Sequence, residues 1–166
     1  MMRLAALALL IGLSGCGLRP MYAGGASGAV VGSLSTIQVA PIPERQGWLV
    51  RNAVVDRLGG EARDPAYRLE IELDDDLTSL GIRGDSAVTR ERRTLRARYR
   101  LVDVTDGQVV LDATAGSDAG IDVVSSEYAT IAAEQSALER LSVVVADQIV
   151  GRLALFVSRG AAAPRR

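Results

Sequence analysis

The chain has 166 residues, enough for one globular domain, and its formal net charge is −1. It contains no histidine, and all 19 basic residues are arginine. These absences exclude Ser-His-Asp and Cys-His catalysis, histidine-ligated metals and lysine Schiff-base chemistry. The near-neutral charge also argues against a nucleic-acid-binding chain. Most familiar enzymes are therefore disfavoured, and we expect a protein that is not an enzyme and has no cofactor or metal.

Residues 1–15 predict a bacterial lipoprotein signal peptide. Arg3 supplies the positive start, and the apolar stretch 4–13 is too short for a bilayer, which needs about 20 residues. The stretch ends in Leu13-Ser14-Gly15-Cys16, which has the form of a lipobox. Cys16, the only cysteine, is therefore predicted to be lipidated and to anchor the mature chain in the membrane. An ordinary signal peptide with a chance cysteine is the alternative.

Residues 16–34 are rich in glycine, alanine and serine without a period, which predicts a flexible tether. A short strand near a sheet edge is predicted over residues 35–42, because prolines stand at its end. A helix is predicted from Trp48 to Leu58, since Val50, Val54 and Leu58 fall on one helical face.

Three segments of alternating or apolar character follow, at residues 67–74, 95–101 and 109–115, and predict strands. Asp106-Gly107 predicts a hairpin turn between the last two, and the pattern near Leu101-Val102 predicts a bulge. A long final helix is predicted from an apolar stripe at steps of three and four residues, which consists of Leu138, Leu141, Val145, Ile149, Leu153 and Phe156. Gly160 and Pro164 are expected to end it and to leave residues 159–166 as a loose tail.

This order of elements over residues 35–158 predicts an α+β fold. We expect a two-layer sandwich, in which a mostly antiparallel four-stranded sheet carries two helices on one face. The other face of the sheet would be polar and free for function.

A run of arginines is the main candidate site. Five of them share parity and would lie on one face of an extended strand, namely Arg90, Arg92, Arg96, Arg98 and Arg100. Guanidinium groups bind phosphate with paired hydrogen bonds, so this row suits a ligand with several phosphates.

An ion-paired surface explains the same arginines. A hairpin centred near Gly84 would set Glu72 against Arg96 and Glu70 against Arg98. The predicted face holds six arginines, with Arg68, against four carboxylates, an excess of about two positive charges. Both interpretations stay open. Asp74-Asp75-Asp76 lacks the alternating ligands and the loop glycine of a calcium site, so a strand end explains it better.

The mature N-terminus carries a resemblance. The segment Cys16-Gly17-Leu18-Arg19-Pro20-Met21-Tyr22 resembles the start of the lipopolysaccharide-assembly lipoproteins of the LptE family. Leu18 stands where that family usually has an aromatic residue, and Met21 where it has leucine. Lipoprotein character, size, element order and the long last helix agree.

The resemblance implies a non-enzymatic lipoprotein on the periplasmic side of a Gram-negative outer membrane. Such a protein assembles with the β-barrel LptD, plugs it, and binds lipopolysaccharide during delivery to the cell surface. The arginines named above are a physical nomination for lipopolysaccharide, not a transferred site.

Two other functions remain as alternatives. One is an auxiliary lipoprotein of an ABC-type envelope lipid transporter. The other is a lipid-anchored hydrolase that uses carboxylates, which the missing histidine, lysine and free thiol disfavour.

Overall fold

The computed structural model describes residues 28–82 and 88–162. Within these residues three helices and four strands follow in the order α1 (Ala29–Leu34), β1 (Ile37–Val39), α2 (Glu44–Leu58), β2 (Tyr67–Ile82), β3 (Val88–Asp103), β4 (Val109–Asp122) and α3 (Glu127–Ala162). The predicted signal peptide and Cys16 lie outside the described residues.

The four strands form one sheet in the order β1-β2-β3-β4. β1 pairs with β2 in parallel, and α2 makes the crossover between them, whereas β2, β3 and β4 form an antiparallel meander. The predicted α+β sandwich with a mostly antiparallel sheet is therefore confirmed, and the sheet is mixed because of β1. β2 and β3 are 16 residues long, so each spans about 50 Å.

The turn and the bulge predicted between β3 and β4 are both present. Gly107 has a φ of 73°, which favours glycine, and its N–H donates to Asp103 O at 2.9 Å. The register changes between Leu101 and Val102, because Leu101 faces Leu111 but Val102 faces Val109. Val110 is thus the extra residue of a β-bulge.

The hydrophobic core lies between one face of the sheet and the helices, and we call this the inner face. Leu95, Ala97, Tyr99 and Leu101 of β3 are buried there. The predicted stripe of α3 is confirmed, since Leu138, Leu141, Val145, Ile149 and Leu153 are buried and Phe156 packs against the core. α3 contacts β3 and β4, while α2 contacts α3, β1 and β2.

α2 begins at Glu44, four residues before the predicted start at Trp48. Pro43 precedes the first helical residue, where a fixed φ and a missing N–H are tolerated. Gly47 lies on the buried side of this added turn. A Cβ atom at Gly47 would lie 2.7 Å from Ile42 O, so only glycine fits this close approach.

The predicted tether 16–34 is wrong at its C-terminal end. Residues 29–34 form α1, which packs against α3, and Leu34 belongs to the core with 3% of its surface exposed. Local composition disfavours this helix, but tertiary packing overrides weak propensity. The rest of the predicted tether, residues 16–27, lies outside the described residues.

The predicted tail 159–166 is also too long. α3 continues through Gly160 to Ala162, because one glycine costs a helix only about 1 kcal/mol and does not end it. Residues 163–166 lie outside the described residues. By length and composition the segment Glu127–Arg159 could cross a membrane, but half of its most apolar window is buried in the fold, as in a core helix.

Candidate functional site on the outer face of the sheet

The polar face of the sheet points away from the helices, and we call it the outer face. Even-numbered residues of β3 alternate with buried odd-numbered ones, so the five nominated arginines share this face. Their side chains stay solvent-accessible; the Arg90 side chain, for example, is 64% exposed. Parity alone placed these five residues correctly in one row.

The register of the β2–β3 hairpin differs by two residues from the predicted one. Glu72 faces Arg98, Glu70 faces Arg100, and Asp74 faces Arg96. A shift by two residues leaves every side chain on its predicted face, so the sequence pattern could not distinguish the two registers.

Four of the five arginines form ion pairs with carboxylates on the same face. Arg100 Nη2 lies 3.5 Å from Glu70 Oε2 and 3.3 Å from Glu72 Oε1. The other three pair with β4, in contacts that join Arg90 to Asp122 (3.1 Å), Arg92 to Asp118 (3.8 Å) and Arg98 to Asp112 (2.9 Å). Such exposed pairs contribute little stability, but they neutralise most of the row.

The charge balance of the outer face is therefore lower than the sequence predicted. β4 extends to Asp122, beyond the predicted end at residue 115, because its small residues continue the ladder opposite β3. This extension adds Asp118 and Asp122, and β2 adds Asp76. Six arginines now face seven carboxylates, which makes the net charge −1 where an excess of about two positive charges was expected.

Arg96 differs from its four neighbours. Among the described residues no carboxylate lies within 4.0 Å of its guanidinium group, although Asp74 faces it across the strands. Its partner on β4 is Gly116, and a Cβ atom there would lie 3.3 Å from Arg96 Cγ. The missing side chain leaves room beside the arginine.

This room forms an open depression of about 770 Å³ around Arg96. Thr94 and Thr114 line it and bring hydroxyl groups that donate hydrogen bonds. The charged residues that line it are Arg96, Arg98, Glu72, Asp74 and Asp118. Because Glu72, Arg98 and Asp118 have partners in ion pairs, Arg96 and Asp74 are the charges left uncompensated among the described lining residues.

The best-formed pair on this face is Arg98 with Asp112. Arg98 Nη2 donates to Asp112 Oδ2 at 2.9 Å, and its Nε donates to the other oxygen at 3.3 Å. This hydrogen bonding lowers the pKa of Asp112 and raises the pKa of Arg98. The guanidinium group of Arg98 is thus already ion-paired with β4, whereas that of Arg96 is available to a ligand.

Arg93 is a basic residue of β3 whose different role the sequence analysis missed. It lies on the inner face, where its Nε and Nη2 donate to the two carboxylate oxygens of Asp75 at 2.8 and 2.6 Å. Its Nη1 donates to the carbonyl of Glu134 in α3 at 3.2 Å. The hydrogen bonds to Asp75 raise the pKa of Arg93. The sequence contains a signal for this difference, because Arg93 is odd-numbered and successive side chains of a strand point to opposite faces, whereas the five nominated arginines are even-numbered.

Asp74, Asp75 and Asp76 therefore point to alternate faces of β2 and do not converge. Asp76 accepts a hydrogen bond from Thr78 Oγ1 at 2.6 Å, while Asp75 holds Arg93. In the part of the chain that the structure describes, no three acidic, histidine or cysteine side chains are grouped to hold a metal ion.

Gln148 of α3 covers part of the free edge of β4. The Gly116 N–H donates to Gln148 Oε1 at 3.0 Å, and Gln148 Nε2 donates to Gly116 O at 3.2 Å. The amide thus takes the place of a neighbouring strand at this residue. Unpaired strand edges invite association with other chains, so this contact protects the edge.

Comparison with known proteins adds a decisive observation. The model of the LptE family, described as lipopolysaccharide-assembly, matches residues 34–153, which is most of the chain. This chain belongs to the LptE family. Membership places it among the non-enzymatic lipoproteins of the Gram-negative envelope and gives it a role in lipopolysaccharide assembly.

Solved structures agree with this LptE fold. A protein from Caulobacter crescentus CB15 that is assigned as a lipoprotein has 27% identity and a TM-score of 0.66, over 78% of this chain and 96% of that one. The rare lipoprotein B from Shewanella oneidensis has 11% identity and a TM-score of 0.60, over 75% and 96%. Lipoprotein B from Nitrosomonas europaea has 15% identity and a TM-score of 0.59, over 76% and 86%. No curated protein matches the sequence.

Proposed function

We propose that this LptE-family protein is anchored by Cys16 to the periplasmic side of the outer membrane. There it assembles with the β-barrel LptD, plugs it, and aids transport of lipopolysaccharide to the cell surface. The family match over residues 34–153 carries this proposal, and it favours lipopolysaccharide assembly over the alternative role in an ABC-type lipid transporter.

We further propose that the outer face binds the phosphates of lipopolysaccharide, with Arg96 as the principal contact. Arg96 has no carboxylate within 4.0 Å among the described residues, and the depression beside it offers hydroxyl donors from Thr94 and Thr114. A guanidinium group can form two parallel hydrogen bonds to a phosphate. Arg90, Arg92, Arg98 and Arg100 would contribute only if a phosphate competed with their carboxylate partners.

Paired substitutions of opposite direction test this site. In the lipidated full-length protein, Arg96→Gln should weaken lipopolysaccharide binding about tenfold, the effect of one lost charge-assisted pair. Asp74→Asn should strengthen binding, because it removes the uncompensated negative charge opposite Arg96. The readout is the dissociation constant at low and at high salt. Both effects should be smaller at high salt, because the added ions screen the charges.

Arg63→Gln is the matched control, since Arg63 is exposed and lies outside the sheet. A charge-reversal series extends this test. It consists of Arg96→Glu, then Arg96→Glu with Arg98→Glu, and finally the triple variant that adds Arg100→Glu. Unchanged binding in the folded triple variant would contradict the phosphate site and favour the ion-paired surface.

Anchoring and partnership need their own measurements. Mass spectrometry of the mature N-terminal peptide should find acyl chains on Cys16, and an unmodified thiol would contradict the anchor. Purification from outer membranes in mild detergent should recover a 1:1 complex with one large β-barrel. A barrel that matures normally without this protein, and never co-purifies with it, would contradict the partnership.

A further inference from the structure

We propose that the free edge of β2 binds an extended basic segment of a partner protein as a fifth strand of the sheet. The inference rests on the proposed assembly with a barrel protein for the identity of this partner, and on the described residues for the surface. The segment would be a loop or a terminal stretch of that protein, since the strands of a barrel wall already pair with one another. We call this surface the β2 edge; it consists of residues 71–81.

In the part of the chain that the structure describes, β2 has a neighbour on its β1 side along only its first three residues. β1 pairs with Tyr67–Leu69, and the last bond runs from Ala40 N–H to Leu69 O at 2.9 Å. Pro41 and Pro43 follow, and the chain turns away into α2. The β2 edge therefore leaves about 33 Å of strand open to pairing.

The backbone groups of alternate residues point to this open side. Tyr67 N–H and Leu69 O face β1, and β2 pairs with β3 without a register shift, so the odd-numbered residues continue to face the edge. These residues are Ile71, Leu73, Asp75, Leu77 and Ser79. Their N–H and C=O groups can form the ladder of an added strand.

The charges of the outer face alternate from strand to strand and predict the charge of an added strand. β4 and β2 carry carboxylates, whereas β3 between them carries the arginine row. Asp74 and Asp76 are exposed, and among the described residues neither forms an ion pair. Opposite charges on facing residues stabilise a strand pair, so an arginine or lysine of the added strand would lie beside each of them.

The inner face beside the edge is apolar and partly uncovered. Leu77 is 43% exposed, because α3 packs mainly on β3 and β4. A depression of about 240 Å³ lies at the start of the edge, and its apolar lining residues are Ile42, Pro43, Ile71 and Leu73. Asp75, on the same face, is already ion-paired with Arg93. The surface thus fits a segment in which basic and apolar residues alternate.

The same charges disfavour two other occupants. If two copies of the chain paired in antiparallel fashion about Asp75, Asp74 of one copy would face Asp76 of the other, and like charges destabilise such a pair. The segment 16–27 contains a single arginine, Arg19, so it does not supply alternating basic residues. The acidic edge is therefore protected against its own copies and open to a basic strand.

A synthetic peptide is the probe. Its sequence is Thr-Val-Arg-Thr-Arg-Val-Thr, with a fluorophore at the N-terminus and an amide at the C-terminus. When its central threonine faces Asp75, its arginines lie beside Asp74 and Asp76 in either strand direction. Fluorescence anisotropy with the lipidated full-length protein measures binding. We expect saturable binding that weakens about fivefold when glutamine replaces both arginines, because exposed charge pairs contribute little each.

Backbone methylation tests whether the peptide binds as a strand. In an antiparallel pair the N–H groups of its valines face β2, and in a parallel pair those of its arginines do. N-methylation of both valines in one peptide, and of both arginines in a second, should weaken binding about tenfold or more in one of them and little in the other, since only one set forms backbone hydrogen bonds. Equal effects would overturn the inference.

Substitutions in the protein locate the peptide. Asp74→Asn with Asp76→Asn should weaken peptide binding about fivefold. The matched control, Asp56→Asn with Asp64→Asn, removes the same charge at exposed positions away from the edge and should leave binding unchanged. Circular dichroism checks that both variants are folded. Asp74→Asn has the opposite effect on the proposed phosphate site, where it should strengthen lipopolysaccharide binding, so the two sites are distinguishable.

The purified complex with the barrel protein tests the identity of the occupant. The partner's segment should occupy the edge there, so the peptide should no longer bind, and equal binding to the free chain and to the complex would overturn the inference. Absent peptide binding to the free chain, or equal losses in the two carboxylate variants, would overturn it and leave the proposed barrel partnership intact. A barrel protein that never co-purifies would contradict the partnership and with it the assigned partner.

Discussion

Gly47 illustrates how a single missing methyl group sets the position of a helix. Its α-carbon hydrogens face the carbonyl of Ile42, and a Cβ atom would lie 2.7 Å from that oxygen. We expect Gly47→Ala to lower the free energy of unfolding by about 2 kcal/mol, since backbone atoms must move to relieve the overlap.

Gly151→Ala is the matched control in α3, where nothing apart from the nearby backbone of the helix itself lies within 4 Å of the added Cβ. It should raise the free energy of unfolding by about 0.5–1 kcal/mol, because alanine favours the helix. Urea unfolding of both variants checks the pair, and equal effects would contradict the close approach at Gly47.

The buried Tyr99 makes the free energy of unfolding depend on pH in the alkaline range. Burial raises its pKa above the ordinary value of 10.0. Above pH 10 the unfolded chain therefore loses this proton while the folded chain retains it, so stability falls as pH rises through the folded pKa. Below pH 10 the contribution is fully present.

We expect Tyr99→Phe to show a shallower loss of stability between pH 10 and 11 than the parent chain. Urea unfolding at a series of pH values measures the slope, and Tyr128→Phe is the control, since Tyr128 is 84% exposed. Parallel curves for the parent chain and Tyr99→Phe would argue that Tyr99 ionises without leaving the core.

At the scale of elements, β4 is an edge strand whose protection depends on one amide. Gln148→Ala removes both hydrogen bonds to Gly116 and should cost about 1 kcal/mol. It should also favour self-association through the opened edge. Hydrogen exchange at the Gly116 amide and sedimentation velocity check the two effects.

Gln135→Ala is the control on the exposed side of the same helix. We expect it to leave exchange at Gly116 and the sedimentation coefficient unchanged. A Gln148→Ala chain with the parent's slow exchange at Gly116 would mean that other groups protect this edge.

The predictable elements are those with a strong period. The alternation in β2 and β3 and the apolar stripe of α3 each mark one buried face. The sequence therefore predicts which side chains of these elements face the core. The bulge near Leu101 was predictable because the alternation breaks there. Parity likewise placed the arginines on one outer face.

The remaining features depend on tertiary contacts. Residues 29–34 are too few to show a helical period and include two β-branched valines and a glycine, so the sequence does not predict this helix, which packs against α3. Residues 116–122 have the composition of a loop, yet β3 pairs with them and brings Asp118 and Asp122 to the arginines. This pairing changed the expected charge of the site and left Arg96 as its available cation.

At the scale of the whole molecule, the fold begins before the predicted boundary at residue 35. A chain that starts at Gly28 should keep the melting temperature of the mature protein. A chain that starts at Thr36 should lose about 2 kcal/mol or more, because it lacks the buried Leu34. Thermal unfolding measures both, and Leu34→Ala in the longer chain should reproduce much of the loss.

Equal melting temperatures for the two truncated chains would contradict the role of α1 in the core. A large loss already in the chain that starts at Gly28 would mean that earlier residues stabilise the domain.

The packing of α1 against α3 has a consequence for export. The first and the last described helices are contact partners, although more than a hundred residues of sequence lie between Leu34 and Ala146. During translocation the β2–β4 meander can pair as soon as it emerges, whereas the inner face of β3 and β4 stays uncovered until the final helix arrives. We therefore expect a transient species with an open apolar sheet, whose lifetime is set by the delivery of the C-terminus, and a chaperone that holds unfolded chains would act on this species.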